Sequence, residues 1–174
     1  MIIPQNMLLY LIEENWAVAE SDKEFENQKG QAIEHSIIQL TGGGSPFKYS
    51  RWDMKFDIGG QSFFCEVKST STSWTKVSDG EILHAQEALA KGIDTIFLSF
   101  LQMLPRDEFK FIGSVLYSQV KELFQESKFP TKTGGTLHII SNTLIRQNHV
   151  DIDLPTGQPT PTLVLQYTYS PKPQ

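Results

Sequence analysis

The stretch Arg51-Trp52-Asp53-Met54-Lys55-Phe56-Asp57-Ile58-Gly59-Gly60-Gln61-Ser62-Phe63-Phe64-Cys65-Glu66-Val67-Lys68 constrains this chain more than any other. Two adjacent glycines between segments of alternating polarity predict a hairpin, because both turn residues can take positive φ without a Cβ penalty. With Gly59-Gly60 as the loop, Ile58 faces Gln61, and the register continues through Phe56–Phe63, Met54–Cys65 and Trp52–Val67. Those pairs make an apolar face. The opposite face carries Asp57–Ser62, Lys55–Phe64, Asp53–Glu66 and Arg51–Lys68.

That second face is unusual. Asp53 opposite Glu66 sets two like charges at close range, which destabilises a hairpin. Carboxylates held together between strands call for a cation, and Mg²⁺ is the usual hard ion for a few oxygens plus water. Lys68, two residues beyond Glu66, points the same way and would orient or deprotonate an attacking water. The pattern therefore suggests a metal-dependent hydrolytic site. The plainer alternative is that Asp53, Glu66 and Lys68 form a solvated salt-bridge face on an edge hairpin.

A chain of 174 residues with this composition suits one domain, 1–174, large enough for a substantial core. No apolar run is long enough to span a membrane, and Met7–Ile12 is too short and too poorly flanked to act as a signal peptide. The single cysteine, Cys65, falls on the apolar hairpin face as a small buried hydrophobe; a chain with one thiol and no internal disulfide suits a cytoplasmic location. The net charge of −5 argues against an indiscriminate nucleic-acid binder, although a local basic patch is compatible with it.

Along the chain, residues 5–15 read as a helix, with Met7, Leu8, Leu11 and Ile12 as its stripe. A second helix is expected over about 23–40, with Ile33, Ile37, Ile38 and Leu40 buried and Glu34 on or beside that stripe. Glu34 is either a border residue reaching for water or a carboxylate aimed at the site. Gly42-Gly43-Gly44 lacks the Gly-Lys-Ser/Thr ending of a phosphate cradle and reads as a loop. Lys48 and Arg51 interleave with aromatic residues ahead of the hairpin, a weak signal for backbone and base contacts.

After Lys68, the hydroxyl-rich run 69–74 reads as a loop. Ser78-Asp79-Gly80-Glu81 then has the form of a capping box, opening a helix that stops at Lys91-Gly92. Residues 94–101 predict a strand covered on both faces, placed parallel to the hairpin strand by the intervening helix. Residues 108–112 read as a strand, 118–126 as a helix, and 136–145 and 162–169 as strands. The whole is an α/β domain with one central mixed sheet flanked by helices.

With these elements in order, the chain resembles the PD-(D/E)xK nuclease superfamily. Helix with Glu34, then Asp53, then Glu66-Val67-Lys68, then helix and apolar strand, has a spacing similar to that of Holliday-junction resolvases. The resemblance covers about residues 28–101; the C-terminal strands within 136–169 would be an elaboration. It implies a restriction-endonuclease-like fold and an endonuclease cutting DNA, often as a homodimer or larger homo-oligomer. Asp53 and Glu66, with the Val67 carbonyl and Glu34, would hold Mg²⁺ or Mn²⁺, and Lys68 would position the nucleophilic water. Trp52 stands where the family often has proline. Asp57 is a rival for the aspartate role; the Gly-Gly register prefers Asp53, because Asp57 falls beside the turn.

Gln86, on the helix after the hairpin, and Lys76, before it, are candidate supports for the site; each is otherwise a surface residue. His35, His84, His138 and His149 lack metal-ligand spacing. The competing function is a catalytically inactive module that keeps the fold to bind nucleic acid or a partner protein.

Overall fold

Gly59 and Gly60 adopt φ of +58° and +81°, and the hairpin they close is the frame of the domain. The computed structural model describes residues 1–10, 30, 32–34, 36–37, 40–41, 52–103, 108–131 and 133–156. Strand β1 is Leu8–Tyr10. The described residues of the 30–40 segment are helical and are labelled α1. The hairpin comprises β2 (Met54–Ile58) and β3 (Gln61–Thr70). It is followed by β4 (Trp74–Ser78), α2 (Asp79–Ala90) and β5 (Asp94–Gln102). Then come β6 (Glu108–Leu116), the one-turn α3 (Tyr117–Val120), a 3-10 turn over Lys121–Leu123, β7 (Gln125–Glu126), β8 (Leu137–Ser141) and α4 (Asn142–Gln147).

Five strands form a sheet in the order β1-β6-β5-β3-β2. Its β3–β5 pair is parallel and the others are antiparallel, so the sheet is mixed. The hairpin register is the expected one from Ile58–Gln61 to Met54–Cys65. A second sheet, β4-β8-β7, is a departure from the single sheet expected.

The side-chain alternation of β5 divides the interior in two. Ile96, Leu98 and Phe100 meet Ile33 and Ile37 of α1, Met54, Phe56 and Cys65 in one core. On the other side, Phe97 meets Ile82 and Ala85 of α2, Val115, Tyr117, Ile140 and Ile145. Both faces of β5 are thus covered, as its continuous apolar run requires. Phe97, Phe100, Phe109 and Phe111 are fully buried, each contributing about 1.5–3 kcal/mol from removal of apolar surface from water.

Several expected elements differ. Residues 8–10 pair with Glu108–Lys110 as an edge strand instead of belonging to a helix; the Leu-Leu-Tyr run, of which only Leu9 is buried, serves a half-buried edge as readily as a helical stripe. The hydroxyl-rich run expected to be a loop is half strand, with β3 reaching Thr70 and β4 starting at Trp74. Only Ser71–Ser73 turn, and Trp74 pairs with Ser141, a partner that local composition does not reveal. In place of a helix over 118–126 there is a short helix, a 3-10 turn and a two-residue strand. The strand expected at 136–145 ends at Ser141, whose hydroxyl accepts the Leu144 N–H and starts α4. The strand expected at 162–169 and the Gly42–Gly44 loop lie outside the described residues, as do 11–15 and 23–29 of the two N-terminal helices. Among the described residues no helix is long and apolar enough to cross a membrane.

Candidate active site

The ladder of the hairpin ends at Met54–Cys65, so the pairs Trp52–Val67 and Asp53–Glu66 do not form. The chain bends at Trp52 and Asp53 instead. Past Cys65, the β3 edge on that side has lost its ladder partner, and the Asp53 carboxylate replaces it: Oδ2 accepts the Val67 N–H at 2.7 Å. The structure thus uses the N–H of Val67 to hold the aspartate. Trp52 turns toward the side of Phe64, stacking on it with centroids 4.4 Å apart and planes 3° from parallel.

This bend brings the acids together. Asp53 lies within hydrogen-bonding reach of both Glu34, on α1, and Glu66, on β3. The Glu66 side chain is only 4% exposed. Burial, then the charge of Asp53, pushes its carboxyl up to about 9, against the pull of Lys68. Burial and Asp53 likewise push Glu34 up to about 7. The carboxylates meet pairwise through Asp53; among the described residues, no three of His, Cys, Asp and Glu converge as a finished metal shell. Their chemistry nevertheless fits a hard divalent cation. They are all oxygen donors drawn close together, with Glu66 buried and Glu34 and Asp53 half-buried, an arrangement that a cation would suit as counter-charge.

Lys68 stands at the far side of Glu66, with Nζ 3.8 Å from Glu66 Oε2. Its firmest partner is Glu81, whose spacing from Ser78 marks it as a helix cap. Glu81 Oε1 pairs with Lys68 Nζ, while Glu81 Oε2 accepts the Ser78 N–H at 2.8 Å. The Ser78 hydroxyl returns the contact by accepting the Glu81 N–H at 3.2 Å, completing the expected capping box. Burial alone would lower the Lys68 pKa, but Glu81 and Glu66 outweigh it and raise the net value, so the side chain stays an ammonium. Burial would raise Glu81, yet Lys68 and the cap hold it below the ordinary glutamate value. The signal that could have found Glu81 was its place in the first turn of the crossover helix, which must start beside the end of β3.

The remaining candidates are dispersed. Asp57 is exposed at the turn, where its Oδ1 accepts the Ser62 hydroxyl at 2.5 Å. Gln86 hydrogen-bonds Tyr117 on the side of α2 that also carries Leu89 and Ala90, apart from the carboxylates. Lys76 is exposed on β4 opposite Ile139. Lys48 and Arg51 lie outside the described residues. His84 is half-buried, its ring edge-on to Trp52, and its Nδ1 is buried without a hydrogen-bond partner among the described residues. Its position one turn after Glu81 places it on the face of α2 that meets Trp52. His138 and His149 pair with Asp79 and Asp151.

No protein-family model, curated protein or solved structure matches this chain.

Proposed function

We propose that this protein is a metal-dependent endonuclease that hydrolyses DNA phosphodiester bonds, built on a restriction-endonuclease-like version of its α/β fold. The observation that carries this reading is the joining of Glu34, Asp53 and Glu66 at the bend before the hairpin, with the Lys68 ammonium beside Glu66. A cluster of acids around the buried Glu66 costs stability and has no packing purpose that apolar residues would not serve better.

Asp53, Glu66 and Glu34, with the Val67 carbonyl, would hold Mg²⁺ or Mn²⁺. When bound, the ion would supply Lewis acidity and lower the pKa of a water. The chain's own contribution is positional and electrostatic. Glu81 holds Lys68 from the first turn of α2, so the ammonium sits in a fixed place beside the acids. There it can orient a water for in-line attack and offset negative charge growing on the phosphoryl oxygens. Asp53 is fixed by the Val67 N–H, so it needs little rearrangement to act as a ligand. A homodimer would place two such sites for cutting two strands.

The net charge of −5 favours one second reading, a catalytically inactive module of the same fold that binds nucleic acid or a partner protein. The two separate in a cleavage assay of labelled DNA with Mg²⁺ or Mn²⁺ and with EDTA. The nuclease reading expects metal-dependent cutting that is lost in Glu66→Gln; binding without cutting under every metal condition would support the module.

A further inference from the structure

Beside the carboxylates lies a pocket of about 220 Å³, lined by Trp52, Phe64, His84, Glu87, Ala88, Lys91 and Ile93. We propose that this pocket receives an unpaired nucleobase adjoining the phosphodiester to be cut. The inference rests on the nuclease reading and adds a substrate class to it: DNA with an unpaired nucleotide at the cleavage position.

Three observations support the assignment. The first is place. Phe64 and Glu66 lie two residues apart on one face of β3, a separation of about 7 Å along the strand. That is comparable to the distance from a phosphate to the base of its own nucleotide. The wall is likewise shared: α2 presents Glu81 to Lys68, then His84 to Trp52 a turn later, then Ala88 and Lys91 to the pocket. Pocket and acids therefore have β3 as a common floor and α2 as a common wall.

The second is chemistry. Trp52 and Phe64 are a parallel stacked pair, both half-buried, leaving ring surface and edges at the pocket. Flat π surfaces receive bases of any sequence, and each base stacked on an aromatic side chain contributes about 1–3 kcal/mol. His84 adds a half-buried ring, and the exposed Lys91 ammonium stands at the rim together with the exposed Glu87 carboxylate. The third is size. The volume is on the scale of one ring system, and moving a base out of a duplex stack into it costs least where that base is already unpaired.

The test uses the full chain with Mn²⁺ and labelled strands of one sequence: single strand, paired duplex, duplex with one unpaired nucleotide, and single strands abasic at each position around the cut. The expected result is faster cutting of single-stranded and unpaired substrates than of paired duplex, and about tenfold slower cutting at one abasic position. In His84→Leu and Phe64→Leu, both checked for folding by thermal melting, that penalty should shrink below about threefold. An active wild type that cuts paired duplex equally well, or shows no abasic penalty, overturns the subsite and leaves the nuclease reading standing. So does a penalty that persists unchanged in both variants. A wild type that cuts nothing counts against the nuclease reading itself. Anisotropy with the same strands then decides the subsite: equal affinity for intact and abasic strands overturns it.

Discussion

Lys68 and Glu81, thirteen residues apart, are joined by an ion pair that ties the end of β3 to the first turn of α2. The same glutamate caps that helix through Ser78. One side chain therefore both starts the crossover helix and fixes the lysine beside the acids.

Removing Glu81 should separate these two roles. Glu81→Ala loses the cap contact and leaves the Lys68 ammonium with only Glu66 for a partner, a cost of about 2 kcal/mol in urea unfolding. Glu81→Gln keeps a cap acceptor and should cost less than half as much. Both variants should lower cleavage, because both release Lys68. Equal stability losses for Ala and Gln would contradict the division.

The acid cluster predicts an unusual pH dependence for metal-free protein. Glu66 and Glu34 move from 4.5 in their ordinary state to about 9 and about 7 in the fold. The folded form therefore binds more protons than the unfolded form, and the contribution of these groups is complete below about pH 4.5. It is lost as pH rises, through about 7 for Glu34 and about 9 for Glu66. Glu81 has the opposite sign: its lowered value contributes stability above its ordinary pKa and loses it on acidification. Melting temperature in EDTA should fall between pH 6 and pH 9, and Glu66→Gln should flatten that fall. A flat wild-type profile over the same window would contradict the raised values.

A divalent ion should replace the missing protons. At pH 8, Mn²⁺ or Ca²⁺ should raise the melting temperature, by the equivalent of about 2.7 kcal/mol at a concentration a hundred times the Kd. Asp53→Asn and Glu66→Gln should respond much less. Asp57→Asn should respond like wild type, because Asp57 binds Ser62 at the exposed turn.

The turn offers a test of the frame itself. Gly60 sits at φ +81°, so Gly60→Ala should cost about 1–2 kcal/mol. Gly59→Asn should be nearly neutral, since asparagine is favoured at this position of a type I′ turn. Chemical denaturation of the two variants checks the asymmetry.

The hairpin, the capping box and the doubly covered strand β5 were legible because each depends on local signals: paired glycines, a Ser-x-x-Glu spacing and a continuous apolar run. The second sheet was not, because β4 gains its strand character from β8, some sixty residues later, while its own approach is a run of hydroxyls. For the site, the spacing of Asp53, Glu66 and Lys68 suggested a shared face. It could not show that the chain bends at Trp52, so Asp53 approaches Glu66 around the strand end, held by Val67 N–H, and not as a cross-strand neighbour. Glu81 was hidden behind a sufficient explanation, since a helix cap already accounted for it.

The measurement that tests the central claim most directly is cleavage of a mixed panel of plasmid, linear duplex, single strand, branched DNA and RNA with Mg²⁺ or Mn²⁺, comparing wild type with Lys68→Ala and Glu66→Gln. The account predicts metal-dependent hydrolysis of DNA by wild type, abolished by EDTA and reduced by about a hundredfold or more in each variant. Well-folded wild type that cuts no member of the panel with either metal, or cutting that survives in both variants, would contradict it.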